Sequence, residues 1–246
     1  MFCCALLFLV FSFFSLNSEE YPYCFEGKCE GWGHKPIQLI SLFLPSNPVI
    51  VQAGGHHGSE TADLALLWPF GRIIAFEPNP HAFKFGFART SYLENVEFYP
   101  LGLHDQEGEF DFYVCLGESG TDRAFEHASS LLKPSSCMEL NYQGPIEKVE
   151  CVILDEWCKV NKVDHIDFLR LDTQGSELAV LLSSPEILRT IKVIHVETFL
   201  FPFREGITRY AEMKQFLERS GFSLLSYWYR EGLNGSAVFV RNTFYH

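Results

Sequence analysis

Val49-Ile50-Val51-Gln52-Ala53-Gly54-Gly55-His56-His57-Gly58 reads as an apolar strand that opens into a glycine turn, with a helix-forming segment beginning at Ser59. A second apolar strand, Ile73 to Phe76, ends on Glu77, 23 residues beyond Gly54. Glycines let a chain turn sharply and let its backbone approach a ligand, and a carboxylate at this spacing can accept hydrogen bonds from ribose hydroxyls. Together they are how a Rossmann-like fold seats an adenosine-bearing cofactor.

From Val49 onward strands and helices alternate, the signature of a parallel sheet covered on both faces. A helix from Ser59 to Trp68 is stopped by Pro69, and Pro78-Asn79-Pro80 turns the chain after Glu77 into a helix over His81 to Tyr92. Strands follow at Val96 to Tyr99 and at Glu109 to Cys115, where Phe110, Phe112 and Val114 alternate with Glu109, Asp111 and Tyr113. Gly117 to Lys148 lacks periodicity and reads as a long loop or lid. The pattern resumes with strand Val149 to Leu154, helix Asp155 to Asn161, strand Ile166 to Leu171, helix Ser176 to Leu182 and strand Val193 to Val196. Tyr210, Met213, Phe216 and Leu217 mark a helix over Thr208 to Ser220, which Gly221 terminates. Strands Ser223 to Tyr229 and Ser236 to Val240 are joined by a link too short for a crossover helix, so they pair antiparallel.

The chain has 246 residues, enough for one large α/β domain with an N-terminal appendage. Hydrophobic residues make up 47% and aromatics 15%, which excludes a disordered chain. Net charge is −12 with no cluster of Lys or Arg, so nucleic acid is not an expected partner and a small neutral or cationic ligand is.

Phe2 to Leu16 is apolar apart from Ser12 and Ser15. Fifteen residues are short for a spanning helix of ~20 and fit the core of a signal peptide, so residues 1–18 are read as a leader, either a signal peptide or a membrane anchor. That places the protein at a membrane or in the secretory pathway. The alternative is a buried terminal helix or a mis-assigned start, and a cytoplasmic protein. Residues 19–48, rich in Gly, Pro and aromatics, read as an irregular extension, and residues 49–246 as the catalytic domain. Of eight cysteines, Cys3 and Cys4 are acylation candidates if the segment stays in the membrane with that end facing the cytoplasm. The other six are disulfide partners, Cys24 with Cys29 among them, or ordinary buried thiols. No CxxC pair carries zinc spacing, and adjacent loop side chains such as His56 and His57 seldom ligate one ion, so no metal is expected.

A dinucleotide would lay its pyrophosphate on the N-terminus of the helix after the turn. Here that first turn carries Glu60, the full G-x-G-x-x-G spacing is missing, and no Gly-Lys-Ser/Thr follows. Charge favours a cationic cofactor without phosphate, S-adenosylmethionine.

Val-Gln-Ala-Gly-Gly-His-His-Gly (51–58), Phe-Glu-Pro-Asn-Pro (76–80), Leu-Gly-Leu-His-Asp (101–105), Ser-Ser-Leu (129–131), Leu-Asp-Thr-Gln-Gly-Ser-Glu (171–177) and Val-Glu (196–197) occur in that order. Between Val49 and Val240 the chain thereby resembles the FkbM family of S-adenosylmethionine-dependent methyltransferases. The resemblance implies a class I methyltransferase Rossmann-like fold: a mostly parallel seven-stranded sheet with a C-terminal antiparallel hairpin and helices on both faces. It also implies methylation of a hydroxyl on a small molecule or sugar. It would put Gly54 and Gly58 under the methionine part of the cofactor, Glu77 on the ribose, Asp105 near the adenine and Asp172 at the floor of the reaction site.

The family usually has an acid where Gln52 stands and often Glu where Gln174 stands. An amide at 52 can still hydrogen-bond the cofactor ammonium, without the attraction of a charge. Asp172 and Glu197 both end strands at the edge where open α/β sheets bind ligands, and His195 lies two residues before Glu197 on the same side of its strand. These three are the candidates for taking the acceptor proton. Two rivals stand beside this reading: a binding protein that kept the fold and lost the chemistry, motivated by Gln52 and Gln174, and an NAD-dependent oxidoreductase.

Overall fold

The structure, a computed structural model, describes residues 35–136, 143–229 and 234–244. The apolar leader and Cys24, Cys29 and Cys137 lie outside the described residues. Among the described residues no helix is long and apolar enough to cross a membrane.

In chain order the elements are α1 (Lys35–Ser41), β1 (Val49–Ala53), α2 (Ser59–Leu67), β2 (Arg72–Phe76), α3 (Pro80–Thr90), β3 (Val96–Tyr99), β4 (Gly102–Leu103), β5 (Gly108–Tyr113), β6 (Ile146–Val152), α4 (Leu154–Val160), β7 (Phe168–Leu171), α5 (Glu177–Leu182), α6 (Pro185–Leu188), β8 (Val193–Phe199), α7 (Tyr210–Arg219), β9 (Phe222–Tyr229) and β10 (Asn234–Arg241). Seven strands form one sheet in the order β3-β2-β1-β7-β8-β10-β9. All neighbours are parallel except β10, which runs antiparallel to both β8 and β9. The chain leaves β1 toward β2 on one side and returns beside β1 as β7 on the other. That reversal is the switch point at whose strand ends such sheets bind ligands.

Alternation along the central strands sorts side chains to two faces. Val51, Ile74, Leu169, Ile194 and Val196 face a core closed by Leu154 and Trp157 of α4, Val180 of α5, Leu188 of α6 and Leu217 of α7. Ile50, Ile73, Phe168, Val193 and Val238 face the opposite core, closed by Leu64 and Ala65 of α2 and Ile40 of α1. Asn79 starts α3: its side-chain oxygen accepts from the His81 and Ala82 amides, and Pro80 occupies the first turn, where its missing N–H costs nothing.

Two features differ from the sequence expectation. Residues 35–41, within the stretch read as irregular, form α1, because Ile40 is fully buried against Ile50 and Phe168 while Ile37 packs beside it. Segments 109–115 and 149–154 join a separate three-stranded sheet, β4-β6-β5, with its own small core of Phe112, Val114, Val149 and Cys151. The chain pattern shows that these segments are strands, and which sheet takes them depends on partners distant in sequence.

Candidate active site

The glycine turn is tied to the end of β2, because Gly54 and Gly55 both donate to the Phe76 carbonyl at 2.9 Å. Gly54 has φ +85°, and a Cβ there would stand 2.0 Å from the Asp172 carbonyl oxygen. Gly54→Ala is therefore expected to cost about 2–5 kcal/mol, from a left-handed backbone and an overlap with a neighbouring strand. A urea titration that leaves the midpoint unchanged would contradict this. The same closeness brings the ends of β1 and β7 together at the switch point.

Glu77, on leaving β2, turns inward and is buried. Its Oε2 accepts from the His56 amide at 2.6 Å and its Oε1 from the Asn79 amide at 2.8 Å. Burial pushes its pKa up to about 7, against the opposing pull of those two N–H groups. Each carboxylate oxygen has a second lone pair, so the group retains capacity for two further donors.

Across the face that carries Ile50, Phe168 and Val193, the sheet changes from apolar to polar toward its ligand-binding end. Gln52, Arg170 and His195 lie side by side on β1, β7 and β8. The next positions along the same strands are Gly54, Asp172 and Glu197. Arg170 Nη2 pairs with Glu60 Oε2 at 2.6 Å and with Asp172 Oδ2 at 3.2 Å. Gln174 Nε2 donates to Asp172 Oδ1 at 2.9 Å and also to Glu197 Oε2, and Asn234 Nδ2 donates to Glu197 Oε1 at 2.7 Å. The hairpin strand β10 thus supplies a contact to the site.

These contacts divide the two carboxyls into unlike roles. Burial works to raise the Asp172 pKa, but the Arg170 charge and hydrogen bonds from Glu197, Gln174 and Arg170 hold it below the usual carboxylate range. Burial, then the Asp172 charge and the hydrogen bond shared with it, push Glu197 well above that range. Of the two, Asp172 gives up its proton first and Glu197 holds its proton longer. Burial and the Arg170 charge bring His195 down to about 3, so its imidazole is neutral. Its Nε2 and the Nη1 of Arg170 are enclosed without hydrogen-bond partners, an uncommon condition for buried polar atoms and here found at neighbouring positions of two site strands.

The long loop lies over this end of the sheet. Its Arg123–Ala128 turn of 3-10 helix buries Glu126, which accepts from Asn79 Nδ2 at 3.2 Å and Arg123 Nη1 at 2.7 Å and meets His81 Nδ1 at 2.8 Å. Ser130 Oγ donates to the Gln174 carbonyl at 2.9 Å, and the buried Arg204 reaches both the Ala128 carbonyl and Gln174 Oε1. Leu132 packs with Phe199, Phe203 and Ile207. The described part of the loop is therefore fastened to the Glu77 side and to the Asp172 side of the site.

Of the residues singled out in the sequence, Gly54, Glu77, Asp172 and Glu197 come together, with Gly58 (φ +71°) packing the turn onto Gly86 of α3. Gln52 is buried: its Oε1 accepts from Thr61 Oγ1 at 2.7 Å and its amide reaches Glu60. Asp105 is exposed and stands 2.7 Å from His104 Nδ1, on a segment whose Gly102 lies against Pro78 of the turn after Glu77. Glu60 is not a free charge, since Arg170 pairs with it; with Asp172 the trio still sums to one negative charge, which leaves no cation for a pyrophosphate. Arg170, Arg204, Asn79 and Glu126 were not singled out. A lone Arg within the otherwise apolar Phe168–Leu171 was the one available hint. Cys151 and Cys158 are free buried thiols, both pushed up to about 12 by burial, and so poor nucleophiles at neutral pH.

A mostly parallel seven-stranded sheet closed by an antiparallel hairpin, with a glycine turn and acidic strand ends at its switch point, defines a class I methyltransferase. Residues 52–224 match the Methyltransferase FkbM domain, and the chain belongs to that family. It is 27% identical over 164 residues to the 2-O-methyltransferase NoeI of Sinorhizobium fredii, covering 65% of this chain and 67% of that protein. It is 24% identical to Methyltransferase 1 of Beauveria bassiana, over 78% of this chain and 80% of the relative. Among solved structures, the precorrin-6y C5,15-methyltransferase of Geobacter metallireducens aligns with a TM-score of 0.46 at 13% identity, over 84% of this chain and 86% of that one.

Proposed function

We propose that this chain transfers a methyl group from S-adenosylmethionine to a hydroxyl of a small molecule or glycan. The observation that carries the reading is Asp172, held by Arg170 and Gln174 beside Glu197, at the strand ends next to the glycine turn and Glu77. The residues suit the cofactor: Glu77 retains acceptor capacity for ribose hydroxyls, Gly54 keeps the turn free of a side chain, and the surrounding charge favours a cation. When bound, S-adenosylmethionine supplies an electrophilic methyl on a sulfonium.

The chain's own work is to orient the acceptor and take its proton. Orientation can contribute ~7–11 kcal/mol and a general base ~3–5 kcal/mol, so positioning dominates. Asp172 is better suited as base than His195. A proton on His195 would place a second cation beside Arg170, whereas Asp172, held below the usual carboxylate range, is ionised and ready to accept one. Arg170 and Gln174 fix the carboxylate, and the fastened loop excludes water from the displacement. The printed name of NoeI, a 2-O-methyltransferase, supports an oxygen acceptor.

Thermal-shift measurements with S-adenosylmethionine and NAD side by side, followed by release of S-adenosylhomocysteine over a panel of sugars, polyols and hydroxylated small molecules, test the reading. Stabilisation by S-adenosylmethionine alone and turnover with a hydroxyl acceptor are expected. No binding at millimolar cofactor would favour the silent binding protein, and preference for NAD the oxidoreductase.

A further inference from the structure

We propose that His56, His57 and Glu126 bind a divalent first-row transition ion of the zinc class. The fold brings a carboxylate from the long loop to two imidazoles on the glycine turn, a meeting that chain spacing alone does not show. Candidate ligand atoms of the three residues lie within 4.8 Å of one another. His57 Nε2 is already 3.7 Å from Glu126 Oε2, close to the ~3.3 Å that separates two ligands of a tetrahedral ion with bonds of ~2.0–2.1 Å.

The donors are in the state an ion requires. Both His56 Nε2 and His57 Nε2 are enclosed without hydrogen-bond partners, an uncommon condition for buried polar atoms. The two rings stack with centroids 3.9 Å apart, which keeps the two imidazoles adjacent. His81 Nδ1 meets the same Oε2 at 2.8 Å, and Asn79 Nδ2 at 3.2 Å and Arg123 Nη1 at 2.7 Å hold Oε1. Such outer hydrogen bonds orient ligating groups. Two neutral imidazoles and one carboxylate suit zinc, cobalt or nickel better than magnesium or calcium, which prefer all-oxygen sites. Three protein ligands leave a fourth position for water or another oxygen.

The proposal is independent of the methyl acceptor, and metal binding alone tests it. Full-length protein, stripped with chelator, is titrated with ZnCl2 by calorimetry and with CoCl2 by visible absorption. One ion per chain with tetrahedral cobalt bands is expected. Glu126→Ala and the double variant His56→Ala/His57→Ala should weaken binding by at least about tenfold. His81→Ala, a positioning change, should weaken it by about 10–100-fold and alter the cobalt bands. Should the variants not fold, X-ray absorption of cobalt bound to the unaltered chain decides, with nitrogen and oxygen neighbours and imidazole scattering expected. No uptake by the unaltered protein, undiminished uptake by the double variant, or sulfur neighbours would overturn the site.

Discussion

Asn in place of Asp172 is expected to lower kcat for methyl transfer by about 10²–10⁴-fold, while Gln in place of Glu197 lowers it by less than about tenfold. The contrast follows from the proton distribution within the pair. Asp172 carries the charge, held by Arg170 at 3.2 Å and Gln174 at 2.9 Å, so its amide removes the base and leaves Arg170 facing a neutral group. Glu197 is the partner that holds its proton longer, pushed well above the usual carboxylate range by burial and by Asp172, so an amide stands closer to its state than to that of Asp172. The cofactor's binding energy is made elsewhere, at the turn and Glu77, so KM for the cofactor should change little in either variant. A pH profile adds a second readout. A group with a lowered pKa is ionised above it, so wild-type activity falls on the acid side as Asp172 takes a proton, and that limb disappears in Asp172→Asn. Equal losses in both variants, or none in Asp172→Asn, would remove the base from Asp172.

The parts of this site that were legible in the sequence are those whose role is set by local chain geometry. Gly54 and Gly58 announce a turn, and Glu77, Asp172 and Glu197 end apolar runs, so each could be placed at the strand ends without knowing its neighbours. The alternation of strands and helices and the closing hairpin were legible for the same reason, because periodicity and a short connection are local signals, whereas the seven-strand count came with the family resemblance. What was hidden is pairing. Arg170 reads as one polar residue in a strand, and only the alignment of β7 with β1 and the start of α2 shows that it faces Glu60. Gln174 reads as a weakened acid, yet with φ +59° its amide reaches two carboxyls that lie 25 residues apart in sequence, a link that a Glu there could make only by carrying a proton of its own. Glu126 sits in a stretch without periodicity, and its burial is set by Asn79, His81 and Arg123. Gln52 could be placed by its strand, but its bond from Thr61 Oγ1 at 2.7 Å was hidden in the same way.

Ala in place of Glu77 is expected to weaken S-adenosylmethionine binding by about 10²-fold or more, and to abolish a pH dependence that the wild-type protein shows near neutrality. A hydrogen bond to a charged group contributes ~1.5–3 kcal/mol, and two ribose hydroxyls can each donate one. In the free protein the carboxyl has a pKa of about 7 against an ordinary value of 4.5, because it is buried. The folded state therefore holds this proton more tightly than the unfolded state, so free-protein stability falls as pH rises from about 4.5 to about 7. The loss is about 3 kcal/mol from this residue at ~1.4 kcal/mol per pH unit. Donors arriving with the cofactor favour the ionised form and draw the pKa down. Binding then releases a proton below pH 7, and affinity rises with pH up to about 7 before levelling. Calorimetry of wild type in two buffers of different ionisation enthalpy reads that proton directly. In Glu77→Ala the released proton and the slope should both vanish, with thermal unfolding confirming that the variant is folded. Affinity within twofold of wild type, or an unchanged slope, would mean that the ribose is held elsewhere and that the acidic end of β2 serves the glycine turn alone.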